Sequence, residues 1–269
     1  MHTGSLEGPA LDSAGSHAIT LLISQDGNVQ NRVSTWSGPF PVRRAEKLKS
    51  RCRRIKQAAA HCGVGVFPAV MEKAHTLARL HAPFDHPDCL FELKYDGFRA
   101  LAYVDHGQVR MVSRKGNVHK SFSGLCNAVG AELAGRAAVL DGEIVYLDDD
   151  GRPQFYSLLR RRGPQRFAAF DLLWLDGRDL RMLPLMERKR RLRALVHGSG
   201  CLMYVDHIER AGADFYRVAC EQDLEGILAK RKTGFYTPEA TTWVKIRNPQ
   251  YSQIEGRREL FEKRLSATA

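Results

Sequence analysis

The 269-residue chain has no C-x-x-C pair; its six cysteines (Cys52, Cys62, Cys89, Cys126, Cys201 and Cys220) are scattered. That spacing argues against a zinc ribbon or a disulfide scaffold and fits a reducing compartment. His81, His86 and Cys89 lie close together in a proline-containing loop, but no fourth ligand stands near, which speaks against a metal site there. No apolar run is long enough to span a bilayer, and Asp, Glu and Gly interrupt the N-terminus from the start, unlike a signal peptide. The expectation is a soluble cytoplasmic protein that does not engage a membrane. There is no G-x-x-x-x-G-K-[ST] loop, which excludes a P-loop ATPase, and Gly63-Val64-Gly65 is too little for a dinucleotide fingerprint. Any bound phosphate must therefore be held by side chains. No internal repeat is visible.

The chain is instead rich in positive charge. Its formal net charge is +11 and its pI about 9.5, which favours a polyanionic partner such as nucleic acid or a phosphate-rich ligand. Residues 1–66 hold many Gly and Ser and only short apolar stretches, and read as a flexible or weakly structured basic extension. The basic run from Arg43 to Ala60 reads either as a helix that touches nucleic acid or as a solvated charge run. The remainder is still basic, so this run does not account for the whole excess.

Hydrophobic periodicity predicts an α+β unit over 67–250. A short helix is expected over Phe67 to Leu80, then a loop from Ala82 to Pro87. Phe91 to Asp105 and Gln108 to Ser113 read as a hairpin turning at His106-Gly107. Phe122 to Leu133 reads as a helix, Ala138 to Leu147 as a strand ending in the turn Asp148-Gly151, and Phe167 to Leu175 as a strand ended by Asp176-Gly177. Pro184 suits the first turn of a helix running to about Val196, ended by Gly198. Met203 to His207 reads as a strand, Asp214 to Glu221 as a helix, and Glu225 to Lys230 and Thr242 to Arg247 as strands. A basic helix from about Arg257 to Leu265 falls in the last segment, 251–269. Short connections between strands favour a mostly antiparallel, strongly twisted sheet system.

Charged residues recur inside these apolar strands: Lys94, Arg99, Arg114, Glu143, Glu225, Lys230, Lys245 and Arg247. Any one of them alone reads as a surface residue on a half-exposed strand. Together, several beside a glycine, they point to one shared polar cleft. Cations neutralise phosphate oxygens, and two carboxylates such as Glu143 and Glu225 hold Mg²⁺ directly or through its waters. A lysine among cations and a metal is biased toward the neutral amine, which is a nucleophile. The residues thus specify a lysine, Lys94, that attacks a nucleotide phosphate. Phe170 offers a flat face for a purine, or packs in the core as such a Phe commonly does.

The order of these segments resembles a known family. Lys94-Tyr95-Asp96-Gly97-Phe98-Arg99 matches the K-x-D-G-x-R nucleotidyl-lysine motif of ATP-dependent DNA ligases. Ser113-Arg114-Lys115-Gly116 looks like their S-R-x-G segment, and Asp141-Gly142-Glu143 like their D-G-E. The stretch Phe170 to Gly177 resembles F-D-x-L-x-x-D-G, Glu225 to Arg231 matches E-G-x-x-x-K-R, and Trp243 to Arg247 is similar to W-x-K-x-K with Arg247 in place of the second lysine. One such motif would be weak; six in order, over about Phe84 to Pro249, are specific. The likeness is greatest to bacterial ligases related to the end-joining ligase domain.

The resemblance implies a nucleotidyltransferase (ATP-grasp-like) fold of twisted antiparallel sheets flanked by helices, with 67–250 as the adenylation domain. It implies ATP as cofactor with Mg²⁺ (or Mn²⁺), and nicked double-stranded DNA as partner, in a monomeric, nucleoid-associated enzyme of repair and recombination. Lys94 would carry AMP. Glu92 would read adenine and Phe170 stack on it, Arg99 and Arg114 would bind ribose and phosphate, and Lys245 and Arg247 would grip the α-phosphate. Glu143 would hold ribose or metal, with Glu225 as the second metal carboxylate. Only about twenty residues follow the last motif, so the expectation is no OB-fold domain in 251–269. A protein partner supplying that fold or end-joining functions is then implied. An RNA ligase, a GTP-using capping enzyme and a catalytically incomplete nucleic-acid-binding or regulatory module remain as alternatives.

Overall fold

The computed structural model describes residues 77–197, 200–238 and 243–255. The expected N-terminal extension, the helix over residues 67–76 and the helix at 257–265 lie outside the described residues. In chain order the strands are β1 (Leu77–Leu80), β2 (His86–Leu93), β3 (Phe98–Asp105), β4 (Gln108–Ser113), β5 (Ala137–Tyr146) and β6 (Gln165–Leu175). They continue as β7 (Arg178–Asp179), β8 (Leu202–Tyr204), β9 (His207–Arg210), β10 (Gly226–Arg231) and β11 (Trp243–Arg247). The helices are α1 (Ser123–Glu132), α2 (Phe155–Leu159), α3 (Leu185–Leu195) and α4 (Gly212–Glu221).

Two sheets form. One has the order β1-β11-β10-β2-β9; the other runs β4-β3-β5-β6-β7, with β8 added beside β6. Pairing is antiparallel except at β1–β11 and β6–β8. Period-two alternation explains the layering. On β3, Ala100, Ala102 and Val104 enter a core shared with Leu125 and Val129 of α1 and Leu192 and Leu195 of α3. The intervening Leu101 and Tyr103 enter a second core with Phe170, Tyr236 and Trp243. On β10 and β11, Ile227, Ala229, Val244 and Ile246 pack beneath Phe215 and Ala219 of α4. The second core, joining side chains of both sheets, is where the charged residues of the strands converge.

Four sequence expectations need correction. Leu77–Leu80 is not the end of a helix but a strand, drawn into parallel pairing with β11. Phe91 to Asp105 is not one hairpin arm. It breaks at Lys94-Gly97, so that β2 joins one sheet and β3 the other, while the β3–β4 hairpin at His106-Gly107 forms as expected. The break is tight: a Cβ on Gly97 would lie 2.1 Å from the Ile144 carbonyl oxygen. Met203 to His207 likewise divides between β8 and β9, in different sheets. Finally, Lys94, Arg114 and Glu225 lie just outside β2, β4 and β10 rather than within them. Strand ends release side chains from the pleat, which is where a cleft can use them. The helices over 123–132, 185–195 and 212–221 and the long strands β5 and β6 follow the predicted pattern.

Candidate active site

Lys94 is the first residue after β2. Its N–H donates to the Gly226 carbonyl at 2.9 Å, and its Nζ donates to Glu225 Oε2 at 2.5 Å. The lysine side chain is 16% exposed and the glutamate 5%, so the amine can be reached while its partner is shielded. Arg247 Nε stands 3.6 Å from the other Glu225 oxygen. Ile246 packs into the α4-side core, so Lys245 and Arg247, its neighbours on β11, share the opposite, cleft-facing side. The Lys245 amine is held below its usual range by burial and then by repulsion from Arg247, Lys94, Arg114 and Arg79. Such mutual repulsion is relieved when an anion enters.

Glu143 sits on β5, register partner of Arg99 on β3. Burial pushes its carboxyl up to about 8, with Lys94 and Arg99 opposing and Glu225 and Asp141 adding to the rise. Arg99 forks onto Asp141, Nε to Oδ1 at 3.0 Å and Nη2 to Oδ2 at 2.7 Å. Tyr236 also donates its hydroxyl to Asp141 Oδ2 at 2.7 Å. The Arg99 guanidinium lies 5.4 Å from the ring centres of both Phe170 and Trp243, a rigid placement suited to a phosphate or sugar ligand. Lys94, Tyr95, Arg99, Glu143, Phe170 and Trp243, with apolar Leu77, Leu93 and Leu228, line a cavity of about 40 Å³.

The structure therefore brings Lys94, Arg99, Glu143, Phe170, Glu225, Lys245 and Arg247 to one cleft. Two predicted residues stand apart. Arg114 is exposed just beyond β4, where it lines an open groove of about 360 Å³ with Tyr103, Arg110 and Lys115, and it still repels Lys245. Glu92 has no exposed surface. Its Oε1 accepts from Lys189 Nζ at 2.5 Å, and its Oε2 forms an ion pair with Lys230. Lys230 in turn lies 3.9 Å from the Trp243 ring centre and 4.3 Å from that of Phe170, so Glu92 supports the cleft wall from behind.

Sequence reasoning did not assign Asp141, Trp243, Lys189 or Tyr236. Asp141 and Trp243 lie inside quoted motifs and could have been named from them. Lys189 sits in the basic turn Arg188-Lys189-Arg190-Arg191, where nothing local distinguishes a buried lysine from a solvated one. Arg188 is also buried, with Nε and Nη2 on the Asp171 carboxylate at 2.8 and 2.9 Å.

The family model described as ATP dependent DNA ligase domain matches residues 68–247. A multifunctional non-homologous end joining protein LigD from Mycolicibacterium smegmatis is 37% identical over 175 residues, covering 63% of this chain and 23% of the relative. A DNA ligase from Thermococcus fumicolans is 33% identical over 180 residues, covering 60% of this chain and 32% of that enzyme. Among solved structures, mycobacterial DNA ligase D complexed with ATP and MES aligns with a TM-score of 0.58 at 33% identity. That alignment covers 65% of this chain and 60% of the other. The chain thus spans about a third or less of the length of these curated relatives.

Proposed function

This chain belongs to the ATP-dependent DNA ligase domain family and has that family's nucleotidyltransferase fold, and we propose that it takes up AMP on Lys94 and passes it on to seal nicked DNA. Lys94 Nζ attacks the α-phosphorus of ATP. The N–P bond forms as the bond from that phosphorus to the bridging oxygen breaks, and pyrophosphate leaves with the electron pair. The proton shed by Nζ passes to Glu225 Oε2, its hydrogen-bond partner at 2.5 Å, and from there to water. AMP then moves to the 5′-phosphate at a nick, and the 3′-hydroxyl displaces it. Such transfers depend on positioning and on charge stabilisation more than on covalent help from the protein.

The observation that carries this reading is the convergence on Lys94 of Arg99, Lys245 and Arg247 with the paired carboxylates Glu143 and Glu225. Lys245 and Arg247 neutralise the α-phosphate, Arg99 serves ribose and phosphate, Phe170 lies on the adenine side with Glu92 supporting the wall behind it, and Arg114 meets the nick phosphate. Glu143 and Glu225 also fit a divalent cation. Among the described residues there is no group of three or more His, Cys, Asp or Glu side chains placed to hold a metal ion by themselves. Two carboxylates with the remaining positions left to water and substrate phosphate is the donor set that Mg²⁺ or Mn²⁺ accepts. The raised Glu143 carboxyl, which its neighbour Glu225 pushes further up, is one that an added cation would return to its ionised form. Bound there, the ion would supply positive charge to the phosphate oxygens.

The partners implied are nicked double-stranded DNA and a protein that supplies OB-fold or end-joining functions, with the chain acting as a monomer. No helix among the described residues is long and apolar enough to cross a membrane. The test is the intact mass of the protein before and after ATP with Mg²⁺, followed by sealing of a nicked duplex. The wild type is expected to gain one AMP and Lys94→Ala none. AMP found on Lys94→Ala, or no adduct on wild type cleared with pyrophosphate, would overturn the assignment.

A further inference from the structure

The eight residues after β11 are not among the six motifs, yet they close on the nucleophile from behind. Asn248 places its N–H on the Glu225 carbonyl at 2.9 Å and its side-chain amide on the Leu224 carbonyl at 3.1 Å. Ser252 binds the Asp223 carboxylate through its N–H at 2.9 Å and through its hydroxyl. Gln253 accepts from the Phe155 N–H at 2.8 Å and donates to the Pro153 carbonyl at 2.7 Å. Between these anchors the buried Tyr251 donates its hydroxyl to Asp96 Oδ2 at 2.9 Å. One strap therefore holds three things at once: the loop that carries Glu225, the β5–β6 connection, and the turn that carries Lys94.

That turn has little other freedom. Its entry is fixed by the Lys94 N–H on Gly226, and its exit by the close approach of Gly97 to the Ile144 carbonyl. Asp96 lies between those two points, 3% exposed, so the Tyr251 bond to its carboxylate bears on the middle of the turn. A phenol is a directional donor that adds no charge beside the reacting amine. Burial, then the charges of Glu225 and Asp223, shift the Tyr251 hydroxyl upward, so it keeps its proton to donate.

We infer that Tyr251 is a positioning residue for Lys94: by holding Asp96 it aims the Lys94 amine and thereby sets the rate of AMP attachment. This rests on the reading of Lys94 as the AMP acceptor. A merely structural strap would affect melting and not the saturated rate. Misaiming a nucleophile lowers the rate at saturating substrate without weakening substrate binding.

The experiment follows single-turnover transfer of labelled AMP from ATP to the full chain, over a range of ATP concentrations. Tyr251→Phe is expected to lower the saturated rate about tenfold, with the half-saturating ATP concentration changed less than about threefold. Gln253→Ala removes the bonds to Phe155 and Pro153 and leaves the Tyr251–Asp96 bond in place, and is expected to stay within about twofold of the wild type. The double variant Tyr251→Phe/Asp96→Ala is expected to be no slower than the slower single variant, because both interrupt one contact. Asp96→Ala carries the same rate comparison if Tyr251→Phe does not fold. A saturated rate unchanged in Tyr251→Phe, an effect confined to half-saturation, an equal loss in Gln253→Ala, or multiplicative losses in the double variant would each overturn the inference. A wild type that takes no AMP would overturn the reading of Lys94 itself, a result distinct from an active wild type beside an unimpaired Tyr251→Phe.

Discussion

Replacing Glu92 by Gln would leave two ammonium groups in the interior with no carboxylate between them. Glu92 and Lys230 have no exposed surface and Lys189 has 1%. Breaking a buried pair by removing one partner costs about 3–5 kcal/mol. For a folded unit of this size, each kcal/mol lowers the melting temperature by about 2–4 °C, so a fall of about 10 °C is expected. The loss is uneven. Without Glu92, Lys189 still donates to the Val205 carbonyl at 2.9 Å, whereas Lys230 Nζ has no hydrogen-bond partner and rests against the Trp243 and Phe170 rings. The Lys230 amine is already held below its usual range by burial, an effect that Glu92 opposes and Lys189 adds to. Glu92→Gln/Lys230→Met should therefore recover most of the lost stability, and Glu92→Gln/Lys189→Met less. The pH dependence follows from the direction of each shift. Burial alone would raise the Glu92 carboxyl, but the ammoniums of Lys189 and Lys230 hold it below its usual 4.5. Its contribution is present above that value and is lost as pH falls through the lower folded value, so the variant should lack part of the wild-type acid limb. In the variant, the strain from Lys230 should ease as pH rises toward the ordinary lysine range, because the folded state accommodates the neutral amine. Urea unfolding between about pH 3.5 and about 9.5 measures both limbs. A Glu92→Gln variant within about 1 kcal/mol of wild type near neutral pH, or better rescue by Lys189→Met than by Lys230→Met, would refute the reasoning.

Gly97→Ala should destabilise the fold by about 3 kcal/mol or more, because backbone rather than a flexible side chain meets the new methyl, 2.1 Å from the Ile144 oxygen; unfolding at the wild-type urea midpoint would show that the turn can yield. Arg114→Gln and Lys115→Gln, both in the exposed groove beyond β4, should each weaken binding of a nicked duplex and reduce the slope of log affinity against log salt by about 1. An unchanged slope would remove this groove from the DNA-facing surface.

Much of the site was legible because its signals are local. Lys94, Glu143, Glu225 and Lys245 stand in short motifs whose order survives in one dimension, and β3, β5 and β6 read as near-continuous apolar runs because both of their faces are buried. The failures share a cause. Phe91 to Asp105 and Met203 to His207 carry turn-capable residues, Asp96-Gly97 and Asp206, but nothing within them says that the chain changes sheets there. That change is set by distant backbone, such as the Gly226 carbonyl that receives the Lys94 N–H. Leu77–Leu80 became a strand because β11, far along the chain, offered an edge.

By itself, then, the sequence determined which groups are available to the proposed chemistry: a lysine amine, cations for phosphate, and two carboxylates from separate segments, each readable from its immediate neighbours. Only the tertiary structure decided which charges are spent inside the protein. Glu92 is held between Lys189 and Lys230, Arg99 is locked on Asp141, and Tyr251 reaches Asp96. These partners lie far apart along the chain, and a buried charge takes whichever counter-group the fold brings within hydrogen-bond reach, a distance that no local pattern encodes.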